Sequence, residues 1–359
     1  MVRLILDSAS GSYPVVIGTN LQRELRAAVT RLDPTGVAII TDSNVRPWAM
    51  KVVAKAVKRS GHKTAIHTVP AGERSKSMAQ LHEVLAFLER ERIDRGGCVI
   101  AVGGGTVGDL AGLAAAVWQR GVRLVGVPTT LLAMVDSSIG GKTAVNGTRS
   151  KNAIGAFWQP SAVISDLASI DTLPAAAYRD AFAEVVKYAV AMDRGLLLLL
   201  QKEREQLVAA DKATLERVVF RCVAAKALVV AKDEREKGPR AILNYGHTAG
   251  HALESASGFR VSHGRAVAFG MRVAARLAFA SDLCSKRLVE TQDELLNAYG
   301  LPARVPRVDP TRVLAAISLD KKARRGRVAW VLPRRMGHAE IGHAVPGALV
   351  RRVVTKALA

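Results

Sequence analysis

The chain has 359 residues, of which 49% are hydrophobic and 23% are charged. This composition excludes an intrinsically disordered protein, and the length allows one large domain or two medium domains, each with a buried core. The formal net charge of +21 at pH 7 suits either a nucleic acid or a small anionic substrate. Because no nucleic-acid-binding module is recognisable, we predict a basic pocket for a phosphorylated or carboxylated small molecule.

The cysteines Cys98, Cys222 and Cys284 are far apart in the sequence. They form neither a disulfide framework nor a Cys-x-x-Cys zinc motif, which is typical of a protein in a reducing compartment. The first residues carry charges too early for a signal peptide, and no apolar run is long enough for a membrane span. We therefore predict a cytoplasmic protein with neither nucleic-acid nor membrane partners.

The first half of the sequence alternates short apolar runs with helical patterns. Strands are predicted at 4–6, 13–18, 37–42, 67–70, 98–102 and 124–130. Helices are predicted at 47–59 and 77–92. Val-rich strands that alternate with helices are typical of a doubly wound parallel sheet, so this half is predicted to be a Rossmann-like α/β nucleotide-binding domain.

After about Pro160 long helical patterns dominate, and a single late strand is predicted at 328–333. The predicted helices cover 175–192, 195–209, 211–232, 247–256, 264–281 and 286–298. We predict an α/β domain over residues 1–165 and a mostly α-helical domain over 166–359. The active site is expected in the cleft between them, where such sites commonly form.

Two glycine-rich segments could bind anions. The first, Gly103–Asp109, follows a strand and opens a helix, so its backbone could approach a pyrophosphate at the helix N-terminus. Its spacing is not G-x-G-x-x-G, and a tight strand-to-helix turn is the alternative. The second, Val135–Thr143, ends in Gly-Lys-Thr, but Asp136 stands where a P-loop needs glycine, which excludes a P-loop NTPase. Its glycines and Lys142 still suit an anion.

Charged side chains also mark the helical half. Glu184 and Lys187 are three residues apart and share a helix face. They form either a surface ion pair or a metal-binding carboxylate with a neighbouring substrate cation. Three of the eight histidines lie close together as His247, His251 and His263. The spacing of the first two places them on one helix face, and the third could complete a metal site together with a carboxylate. Surface or core histidines are the alternative.

Taken in order, these motifs resemble those of the 3-dehydroquinate synthase family of sugar-phosphate cyclases. The resemblance extends from Thr41 to Lys322. It implies a carbon–oxygen lyase of the shikimate pathway, and thus of aromatic amino acid biosynthesis, that depends on NAD and on zinc or cobalt. The family converts 3-deoxy-D-arabino-heptulosonate 7-phosphate into 3-dehydroquinate and phosphate. The resemblance also implies a homodimer.

The resemblance further implies a role for individual residues. The metal ligands would be Glu184, His247 and His263, whereas His251 would act as an acid or base beside the metal and Glu236 would be a second proton acceptor. The groups that bind the substrate would be Arg120, Asp136, Lys142, Asn152, Lys187, Lys226, Arg240, Asn244 and Lys322. The NAD contacts would be Asp42, Asn44, Glu73, Lys76, Gly103, Gly104, Gly105, Asp109, Thr129, Thr130, Lys151 and Thr172.

The sequence departs from the family pattern at a few positions. Arg265 replaces the usual acidic residue after His-Gly, Ala181 replaces a glycine, and Ala175–Ala177 lacks the usual Arg-Glu. Two alternatives therefore stay open, a diverged sugar-phosphate cyclase and a metal-dependent polyol dehydrogenase of the same fold. Lys226, Arg240 and Asn244 suit a carboxylated substrate and favour the synthase.

Overall fold

The computed structural model describes residues 1–148, 150–318 and 328–359. They form two compact units, the first made of Met1–Pro174 with Leu215–Arg235 and the second of Ala175–Thr214 with Glu236–Ala359. The sequence prediction set the boundary at residue 165 and assigned 215–235 to the second domain. In the structure this segment belongs to the first unit, in which the Lys226 ammonium lies 2.7 Å from the Asp136 carboxylate.

The first unit contains a seven-stranded sheet with the order β1-β2-β9-β6-β5-β3-β4, and a separate β7-β8 hairpin. Its strands are β1 Val2–Ser8, β2 Gly11–Gly18, β3 Val37–Asp42, β4 Thr64–Val69, β5 Cys98–Gly103, β6 Arg123–Pro128, β7 Lys142–Val145, β8 Ile154–Phe157 and β9 Ala162–Asp166. Strands β1 and β2 are antiparallel, and the other pairings in the sheet are parallel. The two strands predicted at 4–6 and 13–18 and the parallel sheet are confirmed, whereas β7, β8 and β9 were not predicted.

Helices cover both faces of this sheet, which explains why its central strands are apolar throughout. They are α1 Gln22–Leu32, α2 Arg46–Trp48, α3 Lys55–Lys58, α4 Met78–Arg90 and α5 Gly105–Val117. A π-helical turn at Ala49–Ala54 joins α2 to α3, where the sequence predicted one continuous helix. One apolar core contains α1 and α3, and the other contains α4 and α5.

The strand order creates a crevice at the carboxyl ends of β3 and β5. From β3 the chain continues to β4 on one side, and from β5 it continues to β6 on the other. Loops that leave in opposite directions open a gap, and doubly wound sheets bind ligands there. Asp42 ends β3 and Gly103 ends β5, so residues of the predicted NAD contacts lie at this point.

The second unit is mostly helical, as predicted. The remaining helices of the chain are α6 Ala175–Ala191, α7 Arg194–Lys202, α8 Arg204–Val208, α9 Lys212–Lys232, α10 His247–Ala256, α11 His263–Ala280, α12 Lys286–Ala298, α13 Pro310–Ser318 and α14 Gly347–Leu358, of which most of α9 belongs to the first unit. A hairpin pairs β10 Ala329–Arg335 with β11 His338–Ala344. In the described part of the chain, no helix has the length and apolar character needed to cross a membrane.

One predicted helix of this unit is wrong. The sequence predicted a single helix at 195–209, but Glu203 leaves the helical conformation (φ −114°, ψ 34°) and separates α7 from α8. The Glu203 carboxylate instead accepts a hydrogen bond from the Thr214 hydroxyl at 3.2 Å. Helix α7 therefore ends at Glu203, where the sequence pattern predicted that it continues.

Glycines bring α10 and α11 into backbone contact. A Cβ atom at Gly270 would lie 1.7 Å from the carbonyl oxygen of Gly246, and one at Gly250 would lie 2.9 Å from that of Ala266. No other residue type leaves room for this approach. Because of it, the histidines on α10 lie next to His263 at the start of α11.

Candidate metal and cofactor sites

A buried carboxylate from α6 is the centre of a cluster in the second unit. Glu184 is fully buried, and its Oε1 atom lies 3.4 Å from His247 Nε2 and 3.2 Å from His263 Nε2. Potential ligand atoms of the three residues all lie within 4.8 Å of one another. Three helices thus bring together the residues that were predicted as metal ligands.

Lys187 pairs with the other oxygen of the same carboxylate. Its Nζ atom contacts Glu184 Oε2, and only 2% of the lysine side chain is exposed. The surface ion pair considered as an alternative is therefore wrong, because both partners are buried. The ammonium offsets part of the cost of burying Glu184 and leaves Oε1 directed at the histidines.

His247 is held as a neutral ligand. Its Nδ1 atom lies 3.2 Å from the carbonyl oxygen of Tyr245, which can only accept, so Nδ1 carries the proton. Burial lowers the pKa of His247 to about 3, although Glu184 opposes this shift. An unprotonated Nε2 therefore faces a carboxylate oxygen at 3.4 Å, and two such acceptors suit a cation that binds both.

His263 is held between two carboxylates. Its Nε2 faces Glu184, and its Nδ1 lies 3.5 Å from Glu254 Oε2. Burial opposes its charged form, but the two carboxylates outweigh burial and raise the pKa of His263 to about 10. In the metal-free protein a proton therefore occupies the position that a metal would take.

The donor set fits a divalent cation such as zinc or cobalt. Two imidazole nitrogens and one carboxylate oxygen are the ligands of many catalytic zinc sites, which leave a further position open for substrate. Each histidine also has a partner on its second nitrogen, a carbonyl for His247 and a carboxylate for His263. Such partners fix the ring orientation in metalloproteins.

His251 lies beside this cluster with a different environment. Its ring centroid is 5.0 Å from that of His247 and 6.2 Å from that of His263, and its side chain is exposed. It shares the α10 face with His247, as the spacing predicts. Its exposure suits a group that exchanges protons better than a buried ligand.

Asp180, which the sequence analysis did not single out, anchors the His263 segment. Its carboxylate accepts hydrogen bonds from the backbone N–H of Gly264 at 2.8 Å and of Arg265 at 3.1 Å, and from the Ser262 hydroxyl. Asp180 lies one helical turn before Glu184 on α6. Helix α6 therefore carries one ligand and also fixes the start of the helix that carries another.

The guanidinium of Arg265, the most notable departure from the family pattern, has its own partner. Its NH2 group donates to the carbonyl oxygen of Arg304 at 3.1 Å.

In the same unit, the Asn244 amide donates to Glu236 Oε1 at 2.6 Å, and Arg240 is 1% exposed. Glu236, Arg240 and Asn244 lie in or just before a 3₁₀ turn that spans Pro239–Asn244.

In the first unit, the glycine-rich segment forms the N-terminus of α5, as predicted. A Cβ at Gly103 would lie 2.6 Å from the Val107 side chain, and one at Gly105 would lie 2.8 Å from the Ser137 hydroxyl. A pocket opens here, lined among others by Gly103, Gly104, Gly105, Gly108, Ser137, Lys142 and Trp158. A helix N-terminus without side chains suits a pyrophosphate.

Other predicted residues of this unit form polar pairs. Lys76 contacts both the Asp109 carboxylate and the Asn152 amide oxygen. Burial raises the pKa of Asp109, and Lys76 counteracts this shift. Lys226 donates to Asp136 Oδ1 at 2.7 Å and to the Asp136 carbonyl at 2.9 Å.

Most predicted NAD contacts outside the glycine-rich segment and the Lys76–Asp109 pair form local hydrogen bonds. The Asp42 carboxylate accepts from the backbone N–H of Asn44 at 2.8 Å, and Glu73 accepts from the Asn146 amide at 2.8 Å. Thr129 is buried, and the Thr130 hydroxyl accepts from the backbone N–H of Ala133 at 3.1 Å.

Three predicted site residues do not join these groups. Arg120 is exposed and follows the C-terminal end of α5, whereas the glycine-rich segment opens the same helix at its other end. Thr172 is exposed and bonds the Ser169 carbonyl at 2.7 Å, and Lys151 is exposed. The roles implied for them stay predictions. Lys322 lies outside the described residues.

Family models described as the N-terminal and C-terminal parts of 3-dehydroquinate synthase match residues 66–180 and 181–323. The chain belongs to the 3-dehydroquinate synthase family. It is 42% identical to the 3-dehydroquinate synthase of Desulforamulus reducens over 98% of this chain and 99% of that protein. Identity to the enzyme of Symbiobacterium thermophilum is 44%, over 92% and 93%. The family's enzymes carry out cyclase and lyase chemistry.

Solved structures support the same fold. A 2-deoxy-scyllo-inosose synthase complexed with carbaglucose-6-phosphate, NAD⁺ and Co²⁺ matches with a TM-score of 0.90 and 26% identity, over 99% of this chain and 100% of that one. The 2-epi-5-epi-valiolone synthase of Streptomyces hygroscopicus, with NAD⁺ and Zn²⁺ bound, matches with a TM-score of 0.88 and 26% identity, over 96% of each chain. An iron-containing alcohol dehydrogenase from Thermococcus thioreducens shares the fold alone, with a TM-score of 0.70 and 15% identity over 98% of each chain.

Proposed function

We propose that this protein is a 3-dehydroquinate synthase that uses NAD and one divalent metal ion, zinc or cobalt. Its substrate would be 3-deoxy-D-arabino-heptulosonate 7-phosphate, and its products 3-dehydroquinate and phosphate. The observation that carries the proposal is the convergence of Glu184, His247 and His263 in a chain of this family. That the enzyme is a cytoplasmic homodimer stays a prediction from the sequence.

The metal would be held by Glu184 Oε1 and by the Nε2 atoms of His247 and His263, and NAD by the glycine-rich end of β5. When bound, NAD accepts and returns a hydride while the metal polarises a substrate oxygen. The chain contributes the preorganisation. Tyr245 and Lys187 fix the ligand atoms before the metal arrives, so few rotamers are lost on binding.

Proton transfer would fall to side chains next to the ligands. His251 is exposed and lies one helical turn after His247, so its imidazole can exchange a proton with solvent. Glu236 is the second candidate, because the Asn244 amide holds its carboxylate as an acceptor. Neither group needs to bind the metal for this role.

Buried cations would bind the two anionic ends of the substrate. Arg240 has a planar guanidinium that suits a carboxylate, and it is almost fully buried. Lys187 and Lys226 are 2% and 5% exposed and would act as point charges toward the anionic groups of the substrate. A carboxylated substrate makes the best use of this set. That requirement separates the proposed reaction from cyclases that act on sugar phosphates without a carboxylate.

The test is phosphate release from the heptulosonate, with absorbance followed at the NADH wavelength. We expect phosphate release with no net NADH, loss of activity in a chelator, and recovery with zinc. A seven-carbon ketose phosphate without the carboxylate and a six-carbon sugar phosphate serve as comparison substrates. Faster turnover of either would identify a diverged cyclase, and net NADH formation from glycerol would identify a polyol dehydrogenase.

A further inference from the structure

We propose that Glu254 is the positioning residue for the metal ligand His263, and that its carboxylate fixes the ring so that Nε2 is presented to the metal. Glu254 is not among the metal ligands or proton-transfer groups that the family resemblance implies. The inference rests on the metal site of the proposed function. It goes beyond that function because it concerns a residue outside the ligand set.

Glu254 lies on the same face of α10 as the two other functional residues of that helix. It follows His247 by seven positions and His251 by three, which is the helical repeat. Its side chain is buried, and Oε2 lies 3.5 Å from His263 Nδ1. Because the second ring nitrogen faces Glu184, the imidazole is held from both sides.

The turn between α10 and α11 fixes the Glu254 backbone. Its carbonyl oxygen accepts hydrogen bonds from the backbone N–H of Phe259 at 2.8 Å and from the Ser257 hydroxyl at 2.8 Å. The Ser257 carbonyl in turn accepts from Arg260 Nε at 2.9 Å. These hydrogen bonds fix the last turn of α10, from which the Glu254 carboxylate extends toward the His263 ring that it would orient.

The two ligand histidines are held by different acceptors. A neutral carbonyl holds His247, whereas a carboxylate faces His263. A carboxylate makes the imidazole a stronger donor and adds negative charge near the cation, and removing such a partner typically weakens metal binding about 10- to 100-fold. The loss of Glu254 is therefore expected to affect metal affinity more than folding.

A direct ligand role is the competing explanation. Ligand atoms of His251, Glu254 and His263 also lie within 4.8 Å of one another, so Glu254 could bind a metal itself. A glutamine separates the two roles. Its amide oxygen still accepts from Nδ1 but lacks the charge, and an amide is a much poorer zinc ligand than a carboxylate.

The experiment measures Zn²⁺ affinity by chelator competition and the visible absorption of the Co²⁺-loaded protein, for wild type, Glu254→Gln and Glu254→Ala. Asp293→Asn is the matched control, since Asp293 is a carboxylate of the same unit whose partners are Arg272 and Arg276. Thermal unfolding of every metal-free variant shows whether each one folds.

Positioning predicts a graded result. Glu254→Ala should bind Zn²⁺ about 10- to 100-fold more weakly, and Glu254→Gln should recover part of this loss, with the intensity of the Co²⁺ bands unchanged. Equal losses in both variants with altered Co²⁺ band intensity would overturn positioning in favour of a direct ligand. Wild-type affinity in both variants would overturn it as well. If the wild-type protein binds no metal, the proposed function fails instead.

Discussion

The two candidate binding regions are built in opposite ways. At the end of β5 the binding surface is backbone, and side chains are missing where Gly103, Gly104 and Gly105 make room. Around Glu184 the surface is side chains, which converge from three helices. The first region should therefore be sensitive to added atoms and the second to removed ones. Substitutions in each region test this difference in sensitivity.

The largest effect is expected when Glu184 is removed. Glu184→Ala deletes the one carboxylate that both ligand histidines face, so metal affinity should fall at least about 100-fold, which is beyond the usual effect of losing an outer partner. Chelator competition measures it. Glu290→Ala, which removes an exposed carboxylate paired with Lys286, should bind like wild type. A Glu184→Ala protein with normal affinity would place the metal elsewhere.

The pH dependence of metal binding should be the next largest effect. The pKa of His263 is raised to about 10 in the metal-free protein, so a metal has to displace its proton. Affinity should rise by up to about tenfold per pH unit between roughly pH 7 and pH 9, and binding should release a proton. Titration calorimetry in buffers of different ionisation enthalpy counts that proton. An affinity that does not change with pH would contradict the two-carboxylate environment.

The raised pKa of His263 also makes the stability of the metal-free protein depend on pH. Because the folded pKa of His263 is above the value of about 6.5 expected in the unfolded chain, this group stabilises the metal-free protein fully below that value. The stabilisation is lost as the pH rises through about 10. Bound metal removes the proton and with it this dependence.

Adding atoms to the glycine-rich end tests the other region. A methyl at Gly103 would collide with Val107, so Gly103→Ala should destabilise the protein by about 1–3 kcal/mol. Gly108 has no atom within 4 Å of an added Cβ and lines the pocket. Gly108→Ala should leave stability unchanged or slightly higher but weaken NAD binding. Denaturant unfolding and NAD titration separate the two. Normal NAD affinity in Gly108→Ala would move the cofactor away from this pocket.

The smallest effect concerns Asp180. Asp180→Ala removes the carboxylate that caps α11, with an expected cost of about 1 kcal/mol, and also loosens the segment that carries His263. Asp193→Ala removes the cap of α7, where it accepts from Gly195 and Leu196, and should cost a similar amount. Only Asp180→Ala should weaken metal binding as well. Equal metal affinity in the two variants would show that Asp180 caps α11 without positioning His263 for the metal.

Local sequence predicted most of the architecture, but not the elements that depend on distant contacts. The apolar strands at 37–42 and 98–102 and the helix at 286–298 were placed well because their patterns are long and unambiguous. Strand β9 was missed because its apolar run, Ala162–Ile164, is only three residues long and is followed by the polar residues Ser165 and Asp166. The break at Glu203, whose carboxylate accepts a hydrogen bond from the Thr214 hydroxyl, has no signal in the local sequence pattern.

The candidate site shows the same division. Helical spacing placed His247 and His251 on one face, but spacing alone gave both the same role, and the family resemblance was needed to separate them. The structure adds the reason, since Glu184 faces His247 and His263. Asp180 could not be identified from the sequence because its partners are backbone N–H groups on another helix. The sequence does contain a signal for Glu254, because its position seven residues after His247 places it on the same helix face.

A single titration tests the central claim, that Glu184, His247 and His263 form the metal site of a dehydroquinate synthase. Metal-stripped protein with saturating NAD is titrated with Co²⁺, and both the visible absorption of the protein and phosphate release from the heptulosonate are followed. We predict that both saturate together at one Co²⁺ per chain and that Glu184→Ala shows neither. Full phosphate release by the metal-stripped protein, or by Glu184→Ala, would contradict the account.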